Sequence, residues 1–304
     1  MTVVDAVLLI AFGGPTAPAD VRPFLDNVTR GRRVPPERLE LVVRQYERIG
    51  GRSPLNDLTF AQARALEGAL AAAGHPLPVH VGMRNWHPYL HETLADLAAR
   101  GVRRVRGVIL SPLRSEASWD RYIDDVRAAQ ARVASAPAVD IAPAWSGHRR
   151  YLDAVAARAA AALAEVPDAE RARTPLVFTA HSIPVAMADA SPYLSDLSEA
   201  ARAVAERLGH PAFAVAYQSR SGNPREPWLE PDVNDVLRRL ADAGEKHAVV
   251  VPLGFVVDHV EVLYDLDVRA RETAAAAGIA LHRAATVSDH PDFIAALAET
   301  VMRA

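Results

Sequence analysis

Two segments of the chain place titratable side chains directly after apolar, strand-like runs. His181 ends one such run, and Asp258, His259 and Glu261 follow the run Ala248–Leu253 after a glycine turn. Titratable groups at a buried strand end are costly unless they bind a partner. An imidazole and a carboxylate on separate strand ends can bind a divalent metal and leave coordination positions open. We therefore predict that His181 and Glu261 form the chemical centre.

The composition excludes several functional classes. With 304 residues, half of them hydrophobic, the chain can bury one large core or two. A formal charge of -3 and the absence of long Lys or Arg runs argue against a nucleic-acid surface. The sequence contains no cysteine, which excludes disulfides, thiolate zinc sites and cysteine-held iron–sulfur clusters.

Hydropathy gives no sign of a membrane protein. The longest apolar runs are strand-sized, so none is long enough to span a bilayer. The first residues show no basic segment followed by a cleavable apolar stretch. We expect a cytoplasmic protein without stable membrane insertion.

Strand-sized apolar runs alternate with Ala-, Arg-, Glu- and Leu-rich helical patterns. The predicted strands are Ala6–Phe12, Pro78–Gly82, Val105–Ser111, Val139–Ala142, Pro175–Ala180, Ala212–Gln218, Ala248–Leu253 and Ile279–His282. This alternation is typical of parallel sheets covered on both faces, and four plus four strands predict two doubly wound α/β domains. Ligands of such sheets lie outside the carboxyl ends of the strands, where His181, Gln218 and Glu261 fall.

Several motifs, in the same order along the chain, resemble the ferrochelatase family. They are Ala11–Pro15, Thr29–Gly31, Gly50–Leu55, Ala180–Pro184, Gln218–Gly222 with Trp228–Pro231, and Gly254–Glu261. Together they cover nearly the whole chain. The compact length is similar to that of the bacterial branch that metallates coproporphyrin III.

The resemblance implies a fold and a domain division. It implies two flavodoxin-like domains with a porphyrin in the cleft between them. Residues 1–143 plus 288–304 would form the N-terminal domain, with the last helix packing back on it. Residues 144–287 would form the C-terminal domain that carries the metal site. We expect a monomer.

The resemblance also implies the chemistry of the centre. His181 corresponds to the histidine that faces the pyrrole nitrogens as base, metal ligand or both, and Glu261 to its acidic partner. Fe(II) is then a substrate, and no permanently bound cofactor is expected. An imidazole near neutral pKa suits proton acceptance, and a carboxylate partner orients it.

Five further residues resemble family positions that contact the porphyrin or its carboxylates. They are Phe12, Arg30, Tyr46, Ser53 and Tyr122. An arginine suits carboxylate binding, and the phenyl ring of Phe12 can pack on a flat macrocycle. The alternative for each is an ordinary structural role, such as a surface arginine, a core-edge tyrosine or a loop serine.

The chain departs from the family pattern in two places. Leu113 and Arg114 stand where many relatives carry a histidine or an aromatic residue, which leaves Arg114 as a candidate to meet a propionate. Helical spacing places Asp258, Glu261 and Asp265 on one face. The next position is Arg269, which disfavours an outer metal-relay site.

Two alternative functions remain open from the sequence. A chelatase of similar build could act on another tetrapyrrole or metal, which a pocket altered at Leu113 would favour. A non-catalytic porphyrin or haem carrier would keep the cleft. Such a carrier needs no metal-delivering carboxylate, so the presence of both His181 and Glu261 argues against it.

Overall fold

The computed structural model describes residues 4–31, 33–210, 213–222 and 225–303, which form two compact units. The first unit contains the described residues up to Ser111, with 117–144 and those from Ile294 onward. The second contains 112–116 and the described residues of 145–293. The division at 1–143 plus 288–304 and 144–287 stays a prediction.

The first unit is built on a parallel sheet whose described strands run in the order β2-β1-β3-β4. These strands are β1 (Ala6–Ala11), β2 (Val79–Met83), β3 (Arg104–Ile109) and β4 (Ala138–Ile141). Every residue of β1 is buried, as expected for a central strand covered on both faces. Its helices are α1 (Val21–Val28), α2 (Pro36–Arg48), α3 (Leu55–Ala72), α4 (Leu90–Ala99) and α5 (Arg121–Ala131).

The second unit repeats this topology with the order β6-β5-β7-β8 among its described residues. These strands are β5 (Leu176–His181), β6 (Phe213–Gln218), β7 (His247–Val251) and β8 (Ala280–Arg283). Its helices are α6 (Arg149–Leu163), α7 (Asp168–Arg171), α8 (Val185–Asp189), α9 (Tyr193–Arg207), α10 (Val233–Asp242), α11 (Val260–Leu263) and α12 (Arg271–Ala277). The helix α13 (Pro291–Met302) follows.

The predicted fold class is confirmed, because each predicted strand overlaps a strand of one of two four-stranded parallel sheets in the described residues. Ala212, the predicted first residue of β6, lies outside the described residues. No helix within the described ranges is long and apolar enough to cross a membrane. One local prediction is wrong: helical spacing from Asp258 requires this residue to lie in the helix after β7, but the helix begins at Val260 and Asp258 precedes it.

Candidate functional site

His181 and Glu261 meet where the strand order of the second sheet reverses. His181 is the last residue of the central strand β5, and Glu261 lies in the first turn of α11, after β7. The chain leaves β5 towards β6 on one side, whereas β7 pairs with the other side of β5. Connections that diverge in this way leave a crevice at the carboxyl ends of the strands, where open α/β sheets bind ligands.

A glycine allows the loop after β7 to cross the end of β5. The amide of Gly254 donates to the carbonyl oxygen of Thr179 at 2.9 Å. A Cβ atom on Gly254 would lie 2.8 Å from the Cα atom of Ala180, closer than real Cβ contacts allow. Glycine is therefore required for the approach that carries the loop towards His181.

The imidazole of His181 is held with its Nε2 atom towards the carboxylate of Glu261. The Nδ1 atom donates to the carbonyl oxygen of Ser182, which fixes the ring orientation. The Nε2 atom lies 3.3 Å from Oε1 of Glu261. About a quarter of the His181 side chain (25%) and 38% of the Glu261 side chain stay accessible, so the pair can be reached by a ligand.

The two groups stabilise each other in their charged forms. Burial disfavours the imidazolium, but the Glu261 carboxylate outweighs burial and raises the pKa of His181 above its ordinary value. Burial likewise opposes ionisation of Glu261, yet the neighbouring His181 lowers the pKa of that carboxyl to about 2. At neutral pH the pair therefore favours an imidazolium–carboxylate ion pair, in which the proton on Nε2 lies between the two side chains.

His259 and Asp258 hold the segment that leads into α11. The Nδ1 atom of His259 accepts a hydrogen bond from the amide of Glu261 at 3.1 Å and so caps α11. Burial lowers the pKa of His259, which favours the neutral ring. Asp258 does not share a helix face with Glu261; it pairs with Arg283 at 3.2 Å. The expectation of one acidic face is wrong at this residue, because Asp258 lies before the helix.

Gln218 and Ser219 support the centre from the end of β6. The side-chain amide of Gln218 donates to the backbone carbonyl oxygen of Glu261. The hydroxyl of Ser219 donates to the carboxylate of Asp265. Burial raises the pKa of Asp265, and Arg269 lies 3.5 Å from this carboxylate. Arg269 is thus a partner of the acidic side chain one turn before it.

Tyr193 is a supporting residue that the sequence did not reveal. Its hydroxyl donates to the backbone carbonyl oxygen of His181 at 2.8 Å. Burial raises the pKa of Tyr193, so the phenol keeps its proton and remains a donor. The tyrosine lies in α9, beyond the motif Ala180–Pro184. Its partner is a backbone oxygen, so no pattern of side chains in the sequence indicates the contact.

In the first unit, Phe12 and Tyr122 belong to one aromatic and cationic cluster. The guanidinium of Arg84 lies 4.4 Å from the ring centroid of Tyr122 and 5.9 Å from that of Phe12. Asp125 holds this guanidinium through an ion pair. Phe12 is partly exposed whereas Tyr122 is buried, so Phe12 offers the larger surface to a ligand.

The other three candidates of the first unit differ in accessibility. Tyr46 is buried, and its ring contacts Phe24 edge to face with 6.2 Å between centroids. Ser53 is also buried, and its amide donates to the carbonyl oxygen of Pro15. Arg30 is exposed, and its guanidinium donates to Oδ1 of Asn27 at 2.6 Å.

Arg114 is engaged by a carboxylate of its own unit. Its Nε and Nη2 atoms donate to the two oxygens of Asp196 at 2.9 and 2.7 Å, a bidentate geometry. Asp196 is buried in α9, whereas 39% of the Arg114 side chain is accessible. A propionate would therefore have to share this guanidinium with Asp196.

No group of three or more His, Asp or Glu side chains that could hold a metal ion occurs within the described ranges. His87 pairs with Glu92 at 2.9 Å and makes no such group with His91. The His181–Glu261 pair thus supplies two ligands at most from its own side chains. Two ligands suit a metal in transit better than one held permanently.

Sequence comparison relates the chain to one family. The sequence model described as Ferrochelatase matches residues 4–304. A coproporphyrin III ferrochelatase of Frankia alni is 47% identical to this chain, and the match covers 98% of this chain and 79% of the relative. One of Mycobacteroides abscessus is 44% identical, with 93% and 83% covered.

Structure comparison identifies the same kind of fold at low identity. SirB from Bacillus subtilis, solved with Fe³⁺, has a TM-score of 0.60 and 12% identity over 98% of this chain and 94% of its own. DR2241 from Deinococcus radiodurans has a TM-score of 0.58 and 17% identity, covering 98% of this chain and 55% of that protein. These similarities support the chelatase fold.

Proposed function

The chain belongs to the ferrochelatase family, and we propose that it inserts Fe(II) into coproporphyrin III. The observation that carries the proposal is the pairing of His181 and Glu261 at the carboxyl ends of β5 and β7. The choice of coproporphyrin III as the substrate is inferred from the relatives, which are 42–47% identical to this chain and are named coproporphyrin III ferrochelatase. The product is a haem precursor.

The spacing of the pair suits a divalent ion. Bonds of about 2.0–2.2 Å from one metal to a nitrogen and an oxygen place these donors roughly 3 Å apart. The Nε2 and Oε1 atoms are 3.3 Å apart, and both side chains are accessible. Fe(II) can therefore replace the shared proton, with the Glu261 oxygen as a hard ligand that releases the ion readily.

The pair also handles the protons that the porphyrin must lose. Insertion of one Fe(II) releases two pyrrole N–H protons, so a base is needed beside the ring nitrogens. His181 accepts one proton at Nε2 as Fe(II) leaves this atom for the ring, since its Nδ1 atom is already committed to the carbonyl oxygen of Ser182. Glu261 stabilises the imidazolium that forms, solvent takes up this proton, and the free imidazole then accepts the second one.

The binding roles proposed for the first unit follow from exposure. Phe12 presents an accessible ring to a flat macrocycle, and Arg30 presents an exposed guanidinium to a propionate. Tyr46, Ser53 and Tyr122 are buried, so we propose that they shape this surface and offer only a polar edge to the substrate.

No permanent cofactor is proposed. The chain has no cysteine to hold a cluster, so the purified protein should be active without iron–sulfur absorbance. A stoichiometric cluster found by iron and sulfide analysis would contradict this expectation. The cytoplasmic location and the monomeric state stay predictions.

The function is tested by a panel of metals and porphyrins. Fe(II), Co(II) and Zn(II) are offered with coproporphyrin III, protoporphyrin IX and a sirohydrochlorin-type tetrapyrrole, and insertion is followed by absorbance. The proposal requires Fe(II) with coproporphyrin III to give the highest kcat/KM. A preference for another pair would indicate a different chelatase, and tight binding without turnover would indicate a carrier.

A further inference from the structure

A second pair of histidines lies in the same unit, away from the catalytic centre. His247 opens β7, and His282 lies in β8, on the neighbouring strand. His282 is level with Val249, which is level with Leu176 at the start of β5. Five residues of strand separate Leu176 from His181, about 16 Å at 3.3 Å per residue. The two histidines therefore belong to the amino-terminal part of the sheet.

The rings face each other through two nitrogen atoms. The Nδ1 atom of His247 and the Nε2 atom of His282 are 3.1 Å apart, and the ring centroids are 5.4 Å apart. Only 17% of the His247 side chain and 13% of the His282 side chain are accessible. The strands thus hold two imidazoles in fixed, converging positions.

Each outer nitrogen faces a carboxylate. The Nδ1 atom of His282 lies 3.1 Å from Oε2 of Glu165, and the Nε2 atom of His247 lies 3.8 Å from Oε2 of Glu170. Arg173 is a second neighbour of Glu170, with its Nη2 atom 3.7 Å from the same Oε2 atom. A row of carboxylate, imidazole, imidazole and carboxylate thus forms: β8 and β7 supply the imidazoles, the turn after α6 supplies Glu165, and α7 supplies Glu170.

The hydrogen positions on the two imidazoles decide whether this row of side chains can bind a cation. A carboxylate accepts, so the Nδ1 atom of His282 carries the hydrogen and its Nε2 atom presents a lone pair to His247. In the metal-free pair, the Nδ1–H group of His247 donates to this lone pair at 3.1 Å. When a cation binds, the hydrogen of His247 moves to Nε2, on the side of Glu170, and both inner nitrogens present a lone pair to the cation. Carboxylates behind the outer nitrogens are the usual support of metal-bound histidines.

We propose that His247 and His282 form a second divalent metal site, for the borderline metals that imidazole prefers, such as zinc or copper. The ligands are Nδ1 of His247 and Nε2 of His282, with Glu165 and Glu170 orienting the rings. Two metal–nitrogen bonds of about 2.1 Å at a tetrahedral angle hold their nitrogens about 3.4 Å apart. From 3.1 Å, the rings need to separate slightly and tilt from their head-on alignment.

The site binds reversibly and takes no part in the metallation of porphyrin. Two side chains supply the protein ligands, and water completes the coordination, which agrees with the lack of larger ligand clusters within the described ranges. Loss of the site should therefore leave kcat and KM for Fe(II) insertion unchanged. This separates the inference from the proposed function.

The test is a Zn²⁺ titration of the chain by calorimetry at neutral pH. The background variant His181→Ala/Glu261→Gln removes binding at the catalytic centre. This background should retain one equivalent of Zn²⁺, and adding His282→Gln or His247→Gln should abolish it. Glu165→Gln should weaken binding about 10- to 100-fold, because it removes only the support behind a ligand. His75→Gln, at an exposed histidine elsewhere, is the matched control and should change nothing.

Cu²⁺ provides a spectroscopic test of the ligands. The electron paramagnetic resonance spectrum of the background variant should show hyperfine coupling to two imidazole nitrogens, and His282→Gln should leave one at most. Circular dichroism and thermal melting check that the variants fold. If one of the two histidine variants does not fold, the other one alone decides the test. The proposal is overturned if the folded background binds no Zn²⁺, or if both histidine variants keep the equivalent.

Discussion

The two units of this chain share one topology but end their central strands in different chemistry. The described strands follow the order β2-β1-β3-β4 in the first unit and β6-β5-β7-β8 in the second, so β1 and β5 occupy equivalent positions. After β1 comes Phe12, in contact with the guanidinium of Arg84. β5 ends at His181, paired with Glu261.

The difference shows how one scaffold provides two kinds of site. The strand end of the first unit presents an aromatic surface beside a cation that is already paired, and such a surface can bind a flat ligand without changing it. The second unit presents a histidine and a glutamate with shifted pKa values, which can exchange a proton for a metal ion. Substitutions in the second unit should therefore affect kcat, and those in the first should affect KM and substrate preference.

The largest effect is expected from His181→Ala. If the proposed function holds, the variant loses both the base and a metal ligand, so kcat for Fe(II) insertion should fall by about 10³-fold or more. The measurement is steady-state metallation of coproporphyrin III. Wild-type turnover by a folded variant would remove the basis of the proposed function.

The fold should tolerate this change. His181 is at the end of its strand, and a quarter of its side chain is accessible. Tyr193 binds the backbone carbonyl oxygen of residue 181, a contact that alanine keeps. Far-UV circular dichroism and the thermal midpoint should thus stay close to those of the wild type, which separates lost chemistry from lost structure.

The next effect is expected from Glu261→Gln, with a fall in kcat of about 10²-fold. His181 acts as a base only when Nε2 is unprotonated, so activity rises as pH increases through its raised pKa. Without the carboxylate, burial lowers the pKa of His181. The rising limb of the pH profile of kcat/KM should therefore shift to lower pH. An unchanged limb would show that Glu261 does not control this proton.

Stability should show the same coupling. The lowered pKa of Glu261 means that its stabilising contribution is present above its ordinary pKa and is lost as pH falls through the lowered value, about 2. The contribution of His181 is lost as pH rises through its raised pKa. The contribution of His181 is complete only below the ordinary pKa of a histidine, so the difference in unfolding free energy between wild type and Glu261→Gln should be largest between the ordinary pKa values of a glutamate and a histidine. Chemical denaturation across pH measures it.

The sequence predicts the sheets and the central pair, but not the contacts that hold them. Continuous apolar runs such as that of β1 indicate strands buried on both faces, and the structure confirms this. The partners of Arg114 and Asp258 lie 82 and 25 residues away, on α9 and β8. Such contacts depend on how a helix or strand packs after a crossover. The hydrophobic periodicity of the sequence does not indicate this packing.

A smaller effect is expected from Arg30→Ala, the exposed arginine of the first unit. One charge-assisted contact contributes about 1.5–3 kcal/mol, so kcat/KM for coproporphyrin III should fall roughly 10- to 100-fold. The fall in kcat/KM should be smaller for protoporphyrin IX, because this porphyrin has fewer carboxylates that can contact Arg30. Competition kinetics with both porphyrins measures the ratio.

Arg22→Ala is the matched control for this substitution. Arg22 is another exposed arginine, in α1, and it is paired with Glu40 at 2.7 Å. Its loss should leave the preference between the two porphyrins unchanged. If both variants change the preference equally, the effect comes from net charge, and Arg30 has no specific contact.

The smallest effect is expected from Phe12→Ala, which tests whether the aromatic strand end is a binding surface. Ring contacts contribute about 0.5–1.5 kcal/mol beyond their area, so KM for the porphyrin should rise about 3- to 10-fold while kcat changes little. Phe60→Ala is the control, because Phe60 is exposed to nearly the same extent, 36% against 37%, in the same unit. A selective rise in KM at Phe12 would assign the macrocycle to the end of β1. Equal effects at both residues, or a loss of kcat at Phe12, would contradict the division between a surface that binds and a centre that reacts.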